Sequence, residues 1–172
     1  MPIVLNGTTG DISGSSLTGI DTGKILQAVQ TIKTDSFSST ATSMTDVTGL
    51  SVNITPSSTN SKILVTASID AYVQKTSSYN ASSYFIVVRD TTALSGVHMR
   101  TRVDNSMTCN YINAGGNAVL IYLDSPSTTS QVTYKIQFTN WGGSHTTTVN
   151  GQANNTYYAK STIVAQEVAA WQ

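Results

Sequence analysis

The amino-acid sequence predicts an all-β protein, an antiparallel β-sandwich of the jelly-roll type, with a β-barrel as the structural alternative. Three observations support this prediction. Apolar and polar residues alternate along many short segments, which is the period of a half-buried strand. Serine and threonine together occupy 50 of the 172 positions, and threonine favours strands while serine favours turns. Glycine and proline separate the alternating segments, and no long segment keeps a helical period.

The strand signals begin after Gly23 and continue almost to the end of the chain. Alternation is clear from Ile63 to Val73, where every second residue is apolar. Residues 83–90 and 117–124 are instead apolar on both faces, which is typical of a central strand. The predicted strands are residues 24–34, 44–55, 62–74, 83–90, 96–103, 117–124, 131–139, 145–151 and 160–170.

In residues 96–103, Val97 and Met99 lie on one face of the predicted strand, and His98 and Arg100 lie on the other.

Turn residues are expected between the predicted strands. The predicted breaks between strands are at Pro56, Gly96, Gly115, Gly116, Pro126, Gly142, Gly143 and Gly151.

The first 22 residues differ from the rest because glycines alternate there with isolated apolar residues. Such a segment cannot bury its apolar side chains against itself, so it is either a flexible tail or an extended arm that docks on another surface. The recurrence of apolar residues favours the arm. We therefore expect a docking arm over residues 1–22 and a β-sandwich over residues 23–172. The predicted docking residues are Ile3, Val4, Leu5, Ile12, Leu17 and Ile20.

Composition argues against several classes of partner. Charged residues make up 10% of the chain and the formal net charge is zero, whereas a typical domain has about 25% charged residues. Nucleic acids and anionic membranes select for clustered basic residues, which this chain lacks, so neither is expected as a partner. No apolar run approaches the length of a membrane-spanning helix, and the N-terminus lacks the pattern of a signal peptide. A lone cysteine, Cys109, predicts no intrachain disulfide.

The titratable residues do not form a recognisable catalytic or metal-binding pattern. The acidic residues occur singly, mostly at strand ends and turns, where aspartate bonds the local backbone. His98 and His145 lack the neighbours that a zinc site needs, although a trimer could bring three copies of His98 together. We therefore expect no enzymatic activity, no metal and no cofactor, and a hydrolase is the weakest of the functional hypotheses.

Residues 139–158 form the segment that is richest in aromatic and amide side chains. Such side chains suit the recognition of sugar or protein surfaces, because rings stack and amides bond hydroxyl groups. The alternative is that Trp141 and Tyr157 cover the end of the core. The candidate surface-binding residues are Trp141, His145, Tyr157 and Tyr158.

Five segments give the chain a resemblance to a recurrent module of tailed-bacteriophage virion proteins. They are GSSLTGI at 14–20, GKILQ at 23–27, LSVNITPSS at 50–58, SKILV at 61–65 and KSTIVAQEV at 160–168. Proteins with this module are tail fibres, head fibres or other structural proteins. The resemblance implies a β-rich module that assembles as a homotrimer in the virion, after synthesis in the bacterial host cytoplasm.

One departure from that family bears on the type of virion protein. Fibres usually carry a long shaft before the module, whereas only about 22 residues precede it here. This favours a short fibre or a capsid decoration protein, with the arm docked on a capsid, tail or baseplate protein. The alternative function is a receptor-binding or glycan-binding tip module whose partner is a host surface glycan.

Overall fold

The protein folds as two packed antiparallel β-sheets. The computed structural model describes residues 24–75, 81–101, 112–141, 145–151 and 160–169, and the predicted arm, Tyr157 and Tyr158 lie outside these ranges. Ten strands are present in the described ranges: β1 (Ile25–Lys33), β2 (Phe37–Ser39), β3 (Thr45–Ile54), β4 (Lys62–Lys75), β5 (Ala81–Arg89), β6 (Thr92–Thr101), β7 (Ile112–Asp124), β8 (Val132–Trp141), β9 (Thr146–Val149) and β10 (Ser161–Val168).

The strand order is that of a jelly roll. The first sheet has the order β1-β10-β4-β7, and the short strands β9 and β2 continue it beside the far end of β4. The second sheet has the order β3-β8-β5-β6. Strands that follow each other in the chain mostly lie in different sheets, or in the same sheet without pairing, as in two interlocked Greek keys. The sequence-based prediction of an antiparallel β-sandwich is confirmed.

Strand β4 organises the first sheet. It pairs with β7 from Ile63 to Lys75 along one edge. Its other edge pairs first with β10 and then with β9. Strand β10 in turn pairs with β1, so the first and last described strands are neighbours, with Ile25 opposite Val168.

The core lies between the sheets and consists of the apolar side chains at every second strand position, which face inward. Phe85 and Phe138 contact each other there, with ring centroids 6.0 Å apart. The largest fully buried apolar side chains are Tyr134, Phe85, Phe138, Leu50, Ile54, Ile63, Ile69, Ile136 and Ile163. The alternation that predicted the strands therefore also identified the residues of the core.

Three predictions about individual elements are wrong. Gly96 lies within β6, and Gly115 and Gly116 lie within β7, so these glycines do not form turns. Strand β7 was expected to be central because both its faces are apolar. Among the described strands it pairs with β4 alone, which makes it an edge strand whose outer face is uncovered. Strand β5, in contrast, is central as predicted, between β8 and β6.

Candidate functional site

The buried carboxylate of Glu167 holds a loop in place. Its Oε1 accepts hydrogen bonds from the backbone N and the Oγ of Ser57, at 2.7 and 2.6 Å. Its Oε2 accepts one from Gln27 Nε2 at 2.6 Å. Burial alone would raise the pKa of Glu167, but hydrogen bonds from Ser57, Ser61 and Gln27 outweigh it and lower the pKa to about 2. The group is an ionised anchor for the loop between β3 and β4.

A second buried carboxylate, Asp124, joins the two sheets. Its Oδ2 accepts hydrogen bonds from Arg89 Nη1 and from Tyr134 Oη, both at 2.6 Å. Burial, together with the hydrogen bond to the carboxylate, raises the pKa of Tyr134, so the phenol stays protonated. Asp124 therefore has a structural role, in an ion pair that a second hydrogen bond from Tyr134 supports.

Other carboxylates of the described chain also accept hydrogen bonds, and Asp35 accepts one from Lys33 Nζ at 2.8 Å. Asp46 accepts hydrogen bonds from Lys135 Nζ and Gln137 Nε2, and Asp90 accepts one from the backbone N of Thr133. Within the described ranges no three His, Cys, Asp or Glu residues are grouped as metal ligands. No helix in those ranges is long and apolar enough to span a membrane.

His145 lies in the interior and is 4% exposed. Its Nε2 donates to the backbone O of Ser82 at 3.1 Å. Its own backbone O accepts a hydrogen bond from Asn140 Nδ2, and Asn140 also accepts one from Thr147 Oγ1. His145 thus belongs to a buried network between β8, β5 and β9. It cannot contribute to a binding surface, and the sequence-based assignment of this residue is corrected.

Trp141, the other candidate within the described chain, lies on a strand instead of in a loop. It is the last residue of β8, it faces outward and it is 63% exposed. The alternative that Trp141 covers the end of the core therefore does not hold. The guanidinium carbon of Arg100, on β6, lies 6.0 Å from the centroid of its ring, within reach of a cation–π interaction.

Trp141 and Arg100 are two members of an exposed cluster on the outer face of the second sheet. Both are register partners of Ser82, on the central strand β5 between them. In the adjacent row Tyr84 lies opposite His98, and their rings stack with centroids 4.2 Å apart. We call these four residues, Tyr84, His98, Arg100 and Trp141, together with the buried Ser82 between Arg100 and Trp141, the aromatic face.

Gly96 allows the aromatic face to form. A Cβ atom at this position would lie 2.5 Å from Tyr84 Cζ and 2.7 Å from Ile86 Cγ2. No real Cβ is found at such distances, so only glycine lets the Tyr84 ring lie flat across β6. The glycine that sequence reasoning assigned to a turn instead makes room for an aromatic ring.

The outer face of the first sheet has a different chemistry. Three rows of four register partners cross β1, β10, β4 and β7, and none of the twelve residues is charged. On β7, Val119, Ile121 and Leu123 point outward and are 51%, 65% and 53% exposed. We call this surface the neutral face. Its rows are Ala28–Gln166–Leu64–Leu123, Gln30–Val164–Thr66–Ile121 and Ile32–Thr162–Ser68–Val119.

Sequence reasoning identified Trp141 but missed the rest of both surfaces. Residues 83–90 were interpreted as a strand buried on both faces, which hid the outward position of Tyr84. Arg100 was interpreted as a solvated charge on a strand face, and its position over Trp141 depends on the pairing of β6 and β8 with β5. The apolar residues at alternate positions of 117–124 were the available signal for the neutral face.

Comparison with known proteins adds little. No protein-family model and no curated protein sequence matches the chain. Solved structures with some similarity come from infectious bursal disease virus. The structure of its Gx strain is 17% identical over 98% of this chain and 44% of that chain, with a TM-score of 0.29.

Two further structures from the same virus are similar to the same degree. The crystal structure of the VP2 subviral particle is 16% identical over 98% of this chain and 44% of that chain, with a TM-score of 0.30. The T=1 particles derived from the virus give 16% identity over 99% of this chain and 41% of that chain, with a TM-score of 0.29. The present chain thus spans less than half of the matched chains, and a likeness at this TM-score carries no argument about function.

Proposed function

We propose that the protein is a non-enzymatic structural component of a bacteriophage virion. It is a short fibre or capsid decoration protein that associates with itself as a trimer and docks on the particle through its N-terminal arm. The neutral face is the observation that carries this proposal. Three aliphatic side chains, each more than half exposed, form a stripe along an edge strand. A stripe of this kind is typical of a surface that another protein covers.

A second copy of the same chain is the partner that fits the neutral face best. Symmetric assembly brings identical surfaces close together, and like charges there would repel each other. Twelve register partners without a charge avoid this repulsion. Completing the burial of the three β7 side chains would contribute about 3 kcal/mol per subunit before the entropic cost of association.

The arm and the type of virion protein rest on the resemblance to phage modules. The GSSLTGI segment at 14–20 and the apolar residues around it support a segment that docks on a capsid, tail or baseplate protein. The location that follows is the virion, assembled in the cytoplasm of the bacterial host.

The decisive test is the oligomeric state of a variant that carries Val119→Thr, Ile121→Thr and Leu123→Thr. Threonine keeps a strong preference for strands but shortens the apolar stripe. We expect light scattering after size-exclusion chromatography to give a trimer for the wild-type protein and a monomer for the variant. Met44→Thr is the matched control, because Met44 is 43% exposed and lies outside the neutral face. A monomeric wild-type protein, or a variant that remains trimeric, would contradict the proposal.

The second candidate function is recognition of a host surface glycan by a tip module. It is favoured by one observation, the exposed ring of Trp141 on a rigid strand. The test is adsorption of the protein to intact host cells, which we expect Trp141→Ala to abolish. Tyr158→Ala tests the neighbouring segment in the same way.

A further inference from the structure

The aromatic face has the features of a small ligand site, because an apolar ring, a cation and an unbonded hydroxyl converge there. The ring of Trp141 is held on a strand and is 63% exposed, so it offers a flat surface to a ligand. Sugar rings carry axial C–H groups that stack on indole in the same manner as other apolar groups stack on aromatic faces.

The cation at this face has no anionic partner among the described residues. The described ion pairs involve Lys33, Arg89 and Lys135, and Arg100 is in none of them. Its guanidinium contacts the Trp141 ring instead. A planar guanidinium can bind a carboxylate or phosphate group bidentately, and Arg100 would do so beside the ring of Trp141.

Ser82 lies below this pair. It is 1% exposed, and its Oγ has no hydrogen-bond partner among the residues that the structure describes. Buried hydroxyl groups are almost always hydrogen-bonded, so an unbonded one marks a place that water or a ligand normally completes. Trp141 and Arg100 are the register partners of Ser82 on the two neighbouring strands, so the hydroxyl lies in the same row as the ring and the cation.

We propose that the aromatic face binds an anionic saccharide, with a sugar ring stacked on Trp141 and its carboxylate or phosphate group paired with Arg100. The stacked rings of Tyr84 and His98 extend the platform by one row along the sheet. This proposal rests on the second candidate function and makes it specific, because it assigns the ligand class and the residues. It is independent of the neutral face on the opposite sheet.

The test is binding of the full-length protein to three immobilised polysaccharides. Polygalacturonate carries carboxylates, phosphomannan carries phosphates, and dextran is neutral. We expect the wild-type protein to bind one or both anionic polymers and to bind dextran at least about tenfold more weakly. Which anionic polymer binds distinguishes a carboxylate from a phosphate as the recognised group.

Two variants and one control assign the binding to the aromatic face. Trp141→Ala and Arg100→Gln should each weaken binding of the anionic polymer by about tenfold or more. Lys135→Gln is the matched control, because Lys135 is a cation on the same sheet face that is already paired with Asp46 at 2.9 Å. It should bind like the wild-type protein.

The outcomes separate this proposal from the function on which it rests. Equal binding of dextran and the anionic polymers, with loss in Trp141→Ala, would overturn the anionic ligand and leave a glycan-binding surface. Full binding by both Trp141→Ala and Arg100→Gln would overturn the site. Binding to none of the three polymers, together with undiminished adsorption of Trp141→Ala to host cells, would overturn both.

Discussion

A single buried carboxylate links three distant parts of this chain. Glu167, near the end of the chain, bonds Ser57 in the loop between β3 and β4 and Gln27 on β1. Its hydrogen bonds keep the pKa at about 2 although the side chain is 0% exposed. An acid held ionised in this way is a structural group, and its contribution to stability depends on pH.

Glu167→Gln should destabilise the protein at neutral pH and have little effect in acid. The pKa of Glu167 is lowered from 4.5 to about 2 on folding, so its contribution is complete above pH 4.5 and is lost as the pH falls toward 2. We expect urea unfolding at pH 7 to give a loss of about 2–3 kcal/mol for the variant. Unfolding at pH 2.5 should give a much smaller difference, and an equal difference at the two pH values would contradict the assignment.

Which acid would be buried could not be predicted from sequence. Glu167 follows Gln166 in an alternating segment, and the alternation places it inward, but an inward glutamate is ordinarily a reason to doubt a strand. Its partners lie far away in the chain, on β1 and in the loop before β4, and the pairing of β10 with β1 and β4 brings them together. Local pattern therefore predicted the position of Glu167 but not its bonds.

At the scale of elements, the glycines in strands show where local reasoning fails. Glycine is typical of turns, so Gly96, Gly115 and Gly116 were assigned to breaks between strands. In β6, however, Gly96 makes room for the ring of Tyr84 on the neighbouring strand. The need for glycine there arises from a cross-strand contact, which a single segment of sequence does not contain.

Gly96→Ala should therefore destabilise the protein, by about 1–3 kcal/mol. The added methyl group would displace the Tyr84 ring and press on Ile86, which is buried. Thermal unfolding measured by circular dichroism would detect the change. Gly116→Ala is the control, since nothing lies within 4 Å of a Cβ at that position, and it should be neutral or stabilising. Equal effects of the two substitutions would contradict this account of Gly96.

Strand β2 was not predicted and strand β7 was wrongly predicted to be central, each for a physical reason of its own. Strand β2 has three residues, Phe37–Ser39, and is too short to show a period. Strand β7 is apolar on both faces, which normally indicates burial on both faces. In the single chain, however, β7 is an edge strand and its outer side chains are exposed.

At the scale of the whole molecule, the two outer surfaces of the sandwich differ in chemistry. The neutral face of the first sheet carries aliphatic and hydroxyl side chains, and the aromatic face of the second carries rings and a cation. The fold class was predictable because alternation, hydroxyl content and turn residues agree along the chain. The order of the strands was not, because a jelly roll is defined by long-range pairs such as β1 with β10.

Deletion of residues 2–20 tests whether the predicted arm docks the protein on the particle while the sandwich alone folds and trimerises. The described strands begin at Ile25, and every strand pairing described joins residues from Ile25 onward. We expect the truncated protein to fold and to remain trimeric by light scattering. Incorporation into particles, measured by immunoblotting of purified virions, should be lost. Normal incorporation of the truncated protein would contradict the assignment of a docking arm.

The pairing of β1 with β10 has a mechanical consequence. The backbone N of Ala169 donates a hydrogen bond to the O of Lys24 at 3.0 Å. Because this backbone hydrogen bond lies nearest the arm, it is the first to bear a force that is applied through the arm. Strand β1 lies at the edge of its sheet and pairs with β10 alone among the described strands. A force that pulls Lys24 away from the sheet would therefore break the hydrogen bonds between β1 and β10 one after another, whereas a shear force would load them all at once. We expect the sandwich to yield at β1 under modest force while the rest of both sheets stays intact.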